Sequence, residues 1–211
     1  MNQYMSNNKD KRRPIILDFN YKIQEPPISH LRLTARRKHR HYVTIQPVVY
    51  LMSDYYLFTD GSVNTQTKIG YGAYLIVTAD EVSLPLEKLR ERINVHSFTE
   101  TSSTKLELQT LLWALSDQPE DTEHLTIYTD SQNIINLAER RARFEAHHYH
   151  SKRGLPLRNT ELYKAYFRST DPLNFELLKV KGHQSTRKRN QIDQLFALVD
   201  KASRKARQAR Q

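Results

Sequence analysis

Short apolar runs bounded by polar turns predict an alternation of strands and helices over most of this chain. Runs rich in β-branched and aromatic residues predict strands, and leucines at helical spacing predict a helix over 105–116. The predicted strands are 55–59, 70–77, 93–99, 125–129 and 175–180. Further helices are predicted over 131–143, 160–168 and 191–205, and the acidic stretch 78–92 is interpreted as an insertion. A strand, helix, strand order of this kind indicates an α/β sheet.

The two ends of the chain follow different patterns. Residues 1–13 are polar and then basic without periodicity, which predicts disorder. Apolar and polar residues then alternate on either side of the basic cluster Arg36 to Arg40, which predicts a hairpin with a charged tip. The basic and aromatic segment at about 140–158 is interpreted as an exposed handle. We therefore divide the chain into a basic N-terminal extension, 1–53, and a main domain, 54–211.

Composition excludes several classes of protein. The chain has 211 residues and no cysteine, which rules out disulfides and thiolate metal sites. Its longest apolar runs, such as PVVYLM, are too short to span a bilayer. The basic start has no apolar stretch behind it, unlike a secretory signal. We therefore expect a cytoplasmic protein with no membrane association.

Charge is distributed unevenly along the chain. Residues 1–53 carry 10 Lys and Arg against 3 Asp and Glu, residues 54–139 carry 5 against 14, and residues 140–211 carry 18 against 6. The total of +10 favours a polyanionic partner such as nucleic acid. An acidic middle segment would repel phosphates unless a cation stood between them, and a metal ion is the obvious candidate. For any single acid the alternative is a solvated surface position.

Acidic residues recur where predicted strands end. The motifs TDGS and TDS place Asp60 and Asp130 at the ends of two strands, and Glu107 lies in the first turn of the helix after the third strand. Asp193 starts the closing helix, ten residues after His183 in the loop sequence KGHQ. Sites in α/β sheets form at the carboxyl ends of strands. Four acids from separate elements can therefore meet at one edge of the sheet.

Each motif has a simpler explanation when it is taken alone. TDGS can be a turn, Glu107 a capping acid and Asp193 a favourable charge at a helix N-terminus. Their order and spacing together resemble the type 1 ribonuclease H family, and the resemblance runs from Tyr55 onward in the family's order of elements.

The resemblance implies a ribonuclease H-like α/β fold, with a central mixed five-stranded sheet flanked by helices, preceded here by the basic N-terminal extension. It implies an endonuclease that hydrolyses the RNA strand of RNA–DNA hybrids with two divalent ions and leaves 5′-phosphate and 3′-hydroxyl ends. By the resemblance, Asp60 bridges both ions, Glu107 and Asp130 complete the shell of one and Asp193 that of the other, while His183 assists proton transfer or product release. Carboxylates without soft ligands suit Mg²⁺, with Mn²⁺ as the alternative.

Recognition of a hybrid requires contacts to the RNA 2′-hydroxyl and to phosphates of both strands. The candidates for reading the 2′-hydroxyl are the polar residues Asn64, Ser102, Ser103 and Thr104. The candidates for holding phosphates are the basic residues Arg140, Arg141, Arg143, Lys152 and Arg153. Phosphate contacts of this kind predict binding that weakens steeply with salt.

The chain also departs from the family pattern. Ser103 and Thr104 replace paired asparagines, and the handle carries His147, His148 and His150 where bacterial members carry tryptophans. Those histidines can bind a metal, although a solvated or phosphate-facing surface is the favoured interpretation. The extension does not match the hybrid-binding module of some members, and it is expected to bind nucleic acid or a protein partner. We expect a monomer.

Two other functional classes stay open. One is a DNA nuclease, transposase or resolvase on the same fold, and the other is a non-catalytic hybrid-binding protein. The GH loop around His183 argues against the first class, and the presence of all four acids argues against the second.

Overall fold

The computed structural model describes residues 52–180 and 190–209, together with the backbone of two strands at 31–38 and 42–49. The chain divides into two compact units, Met1–Met52 and Ser53–Gln211. In the first unit, β1 (Leu31–Lys38) pairs antiparallel with β2 (Tyr42–Val49).

The second unit is built on a five-stranded mixed sheet. Its strands are β3 (Ser53–Asn64), β4 (Ile69–Thr78), β5 (Asn94–Phe98), β6 (Thr122–Thr129) and β7 (Phe175–Lys179). They lie in the order β5-β4-β3-β6-β7, with β3, β4 and β5 antiparallel and β6 and β7 parallel to β3. The predicted α/β fold with a mixed five-stranded sheet is confirmed.

Helices cover both faces of this sheet. They are α1 (Leu86–Glu91), α2 (Ser103–Ser116), α3 (Gln132–Ile135), α4 (Leu137–Ala146), α5 (Thr160–Thr170) and α6 (Gln191–Gln208). On one face α2 and α5 bury Leu111 and Phe167 against Leu57 of β3. On the other face α6 buries Phe196 and Val199. Within the described part of the chain, no helix is long and apolar enough to cross a membrane.

Glycines in β4 allow α2 to pack unusually close to the sheet. A Cβ atom at Gly72 would lie 2.1 Å from the Thr110 hydroxyl oxygen, and one at Gly70 would lie 2.6 Å from a methyl carbon of Leu106. A side chain at either position would force Thr110 or Leu106 of α2 to shift. The bare strand surface therefore fixes the position of the first turns of α2, which carry Glu107.

The strand β3 is longer than the sequence predicts. Asp and Gly in the TDGS motif are turn-forming residues, so the sequence predicts that the strand ends there. In the structure β3 continues to Asn64, because β4 pairs with it from Tyr55 to Asn64. Asp60 therefore lies inside a strand and pairs with Ala73.

Two further segments differ from the sequence prediction. The sequence predicts no helix in the stretch 78–92, whereas the structure has a 3₁₀ helix (Asp80–Ser83) and α1 there, with the side chain of Leu89 fully buried beside α6. The helix predicted over 131–143 is interrupted at Asn136 and forms α3 and α4.

Candidate active site

The register of two parallel strands brings two carboxylates together. The ladder between β3 and β6 ends with Phe58 opposite Tyr128. Two residues further along each strand lie Asp60 and Asp130. Because the strands are parallel and in register, these residues stand side by side at the edge where β6 has ended and β3 continues.

Four carboxylates line one cavity at this edge. The cavity has a volume of about 490 Å³, and its acidic residues are Asp60, Glu107, Asp130 and Asp200. Glu107 comes from α2, and Asp200 comes from the middle of α6. Three of the four were predicted from the sequence.

The face of α6 towards the cavity carries a stripe of polar residues. Asp200, Ser203, Arg204 and Arg207 follow the spacing i, i+3, i+4 and i+7, which places them on one side of a helix. The Ser203 hydroxyl donates a hydrogen bond to Oδ2 of Asp60 at 2.6 Å. Arg204 Nε forms an ion pair with Asp200 Oδ1 at 2.7 Å, and Arg207 Nε donates to Oγ of Ser62 at 2.9 Å. The hydrogen bonds from Ser203 and Arg207 therefore hold α6 against the segment of β3 that carries Asp60.

The environment of Asp60 opposes its negative charge. The pKa of Asp60 is raised to about 7, mainly by burial and in smaller part by the charges of Asp200 and Asp130. The hydrogen bonds from Ser203 and from the backbone of Gly61 act in the opposite direction. A half-buried carboxylate among other carboxylates is stabilised when a cation binds beside it.

Glu107 has a similar environment on the opposite wall. The buried hydroxyl of Ser131, which caps α3, donates to Oε2 of Glu107 at 2.5 Å. Burial raises the pKa of Glu107; the Ser131 hydrogen bond lowers it, and the charge of Asp130 raises it. Two buried serines, Ser131 and Ser203, thus each hold one of the cavity carboxylates.

The structure does not bring Asp193 into this cavity. Asp193 lies in the first turn of α6, where it forms a capping box: its backbone N–H donates to Asn190 Oδ1 at 2.8 Å, and its carboxylate accepts from the Asn190 backbone at 3.3 Å. The fourth carboxylate of the cavity is Asp200, two turns later. Asp200 was not predicted from the sequence. The available signal was an acid directly after the apolar residues Leu198 and Val199, both of which are buried in the structure.

His183 lies outside the described residues. The polar candidates for substrate binding lie at the end of β3 and at the start of α2. Ser103 lines the cavity, and Thr104 accepts a hydrogen bond from the Asn133 side chain at 3.2 Å. Ser102 is exposed at the start of α2. Asn64 closes the turn after β3, where its side chain accepts from the backbone of Gln66 at 3.0 Å.

The basic handle residues fall into two groups. Arg141 pairs with Asp171 and with Glu145, and Arg140 donates to the backbone carbonyls of Asn133 and Asn136. The remaining predicted cations are exposed: Arg143, Lys152 and Arg153. The exposed group is better placed than Arg141 to meet phosphates, because the charge of Arg141 is already balanced by two carboxylates.

The donor set of the cavity suits a hard divalent cation, since it consists of carboxylate and hydroxyl oxygens. In the part of the chain that the structure describes, no three His, Cys, Asp or Glu side chains form a group that could hold a metal ion as they stand. Three of the cavity carboxylates instead have partners within the protein. Ser203 binds Asp60, Ser131 binds Glu107 and Arg204 binds Asp200. The same finding applies to the predicted histidine cluster at His147, His148 and His150, all of which are exposed.

A comparison with family models decides the family. The model described as RNase H matches residues 52–202, which include all four cavity carboxylates and the whole sheet. The chain belongs to the RNase H family. Members of this family are nucleases that act on RNA–DNA hybrids, and the coarse assignment of the chain as a hydrolase of this kind follows. No curated protein matches the chain.

Proposed function

We propose that this RNase H protein is an endonuclease that hydrolyses the RNA strand of RNA–DNA hybrids with the help of two divalent cations, leaving 5′-phosphate and 3′-hydroxyl ends. The observation that carries the proposal is the cavity in which Asp60 and Asp130 stand side by side, with Glu107 and Asp200 completing its acidic walls.

Asp60, Glu107, Asp130 and Asp200 would hold the cations, with Asp200 in the role that the sequence assigned to Asp193. When bound, Mg²⁺ or Mn²⁺ supplies positive charge that polarises the scissile phosphate and lowers the pKa of water. The chain has no cysteine, and the described residues that line the cavity include no histidine, so the ligand chemistry they offer favours these ions over zinc.

The chain's own residues prepare this site. Ser203 donates to Oδ2 of Asp60 and Ser131 to Oε2 of Glu107, while Oε1 of Glu107 accepts a longer hydrogen bond from Ser103 at 3.4 Å. Ser103 and Thr104 offer hydroxyls at the start of α2 for the RNA 2′-hydroxyl, and Asn133 orients Thr104. The role of His183 in proton transfer or product release stays a prediction, as do the cytoplasmic location and the monomeric state.

The first test is a cleavage assay with five substrates: an RNA–DNA hybrid, an RNA duplex, a DNA duplex and each single strand, in Mg²⁺, in Mn²⁺ and in EDTA. We expect metal-dependent cleavage confined to the RNA strand of the hybrid. Asp130→Asn should reduce the rate by at least about 100-fold, since mutations of metal-site ligands typically have effects of this size or larger. Asp54→Asn is the matched control, because Asp54 lies exposed at the other end of β3.

The alternatives predict different results in the same assay. Cleavage of the DNA duplex would support a DNA nuclease on this fold. Tight binding of the hybrid without cleavage in either metal would support a non-catalytic binding protein.

A further inference from the structure

Two arginines share the cavity with the four carboxylates. Arg204 and Arg207 both belong to the polar stripe of α6, one turn apart, and both line the cavity wall. They come from a helix whose other face is the apolar core of the domain, so their position is set by the packing of α6 against β3. Neither residue has a role predicted from the sequence.

The contacts of Arg207 orient it without cancelling its charge. Its Nε donates to the hydroxyl of Ser62, a neutral group on β3 that lies 145 residues away in the sequence. The side chain is half-buried at this position. A guanidinium group has five N–H donors, so a single hydrogen bond through Nε leaves the two terminal nitrogens to bind an anion in a forked geometry.

One contact of Arg204 is a partly exposed ion pair. Arg204 and Asp200 are four residues apart on one helix, and their side chains are 45% and 28% exposed. Exposed ion pairs of this kind are weak, because water screens both charges. A cation bound at Asp200 would compete with this ion pair, and the positive charge of Arg204 would still line the wall of the cavity.

We propose that Arg207, with Arg204 beside it, binds a phosphate group of the substrate strand at the wall of the carboxylate cavity. A phosphodiester that enters an acidic cavity is repelled by the carboxylates, and fixed guanidinium groups on one wall offset this repulsion and set the position of the strand. The inference rests on the proposed function for the identity of the strand. The phosphate site itself requires only a nucleic acid.

The experiment measures binding as a function of salt, because each phosphate contact that is lost lowers the slope of log K against log salt concentration by about one. Fluorescence anisotropy with a labelled RNA–DNA hybrid and with a DNA duplex would use full-length Asp130→Asn in Mg²⁺, so that the hybrid is not cut. The variants are Arg207→Gln and the double variant Arg204→Gln/Arg207→Gln. Lys205→Gln is the matched control, since it removes the same charge from an exposed position on the same helix.

We expect Arg207→Gln to weaken hybrid binding several-fold and to lower the slope by about one, and the double variant to lower it further. Lys205→Gln should change the slope much less. Ser62→Ala removes the same hydrogen bond but keeps the charge of Arg207, so it should preserve most of the slope; a purely structural role of Arg207 predicts that Ser62→Ala behaves like Arg207→Gln. Thermal melting of each variant checks that α6 still packs.

Failure of this inference differs from failure of the proposed function. If the unmodified protein cleaves the hybrid but Arg207→Gln matches Lys205→Gln in slope and affinity, the phosphate site is refuted and the function stands. The other result is that the hybrid is not cleaved, but Arg207→Gln lowers the slope of log K against log salt concentration for either nucleic acid. In that case the phosphate site is supported and the proposed function is refuted.

Discussion

At the scale of single residues, the cavity is built at the expense of stability. Asp60 is placed beside two other carboxylates and largely out of water, and the hydrogen bond from Ser203 offsets only part of the cost. Strained or repulsive charge at an active site is the usual reason why a change that removes function increases stability. Asp60 is therefore where function and stability should oppose each other most clearly.

Asp60→Asn should raise the free energy of unfolding in EDTA at pH 8. The pKa of Asp60 is raised in the folded protein to about 7, so the charged form destabilises the fold at pH values above the unfolded pKa, and the penalty is complete only above pH 7. We expect a gain of about 1–3 kcal/mol at pH 8 that disappears near pH 4, where the wild-type carboxyl is protonated in the folded state.

Denaturant unfolding at the two pH values measures this difference. Addition of Mg²⁺ should stabilise the wild-type protein and not the variant, because a ligand that binds only the folded state adds stability. A variant that is less stable than the wild type in EDTA at pH 8 would contradict this account of the site.

At the scale of secondary-structure elements, α6 has two acids with different roles. Asp193 caps the N-terminus of the helix, and Asp200 reaches the cavity from its middle. The sequence predicted the helix and its first residue, but it could not tell which acid reaches the sheet edge. The answer depends on which turn of α6 packs beside Asp60 of β3, and this is set by the packing of the helix against the strand.

Asp200→Asn should reduce hybrid cleavage by at least about 100-fold while leaving the melting temperature unchanged or raised. Asp193→Asn should lower stability by about 0.5–1 kcal/mol, since it weakens the capping box, and should retain most of the activity. Both variants replace one carboxylate oxygen by an amide nitrogen, and both lie on α6. Cleavage rates and melting temperatures measured side by side therefore decide which of the two acids belongs to the active site. The reverse pattern of activity would restore Asp193 to the site.

At the scale of the whole molecule, the basic N-terminal extension and the RNase H domain occupy separate stretches of the sequence. The RNase H match begins at residue 52, where the first compact unit ends. The first 53 residues carry 10 Lys and Arg against 3 Asp and Glu, so they add positive charge, whereas the four cavity carboxylates all come later in the sequence. The extension should therefore affect affinity rather than chemistry.

A protein shortened to residues 53–211 should fold with one cooperative transition and cleave the hybrid at saturating substrate at a rate within a few-fold of the full chain. Its affinity for the hybrid should be lower and less sensitive to salt, because fewer cations contact phosphates. Steady-state kinetics at several salt concentrations would show a raised KM with kcat nearly unchanged. A large loss of kcat would show that the extension contributes to the catalytic step.

The sequence by itself determined the order of strands and helices, the α/β class, the family resemblance and three of the four cavity carboxylates. These depend on local signals: apolar periodicity, capping residues, and acids at or near strand ends. Only the tertiary structure decided that β3 continues past Asp60, that Asp200 rather than Asp193 lines the cavity, and that Ser203 and Arg207 face the same strand. Those facts depend on the register between strands and on the packing of α6 across the sheet, which are contacts between residues distant in the sequence.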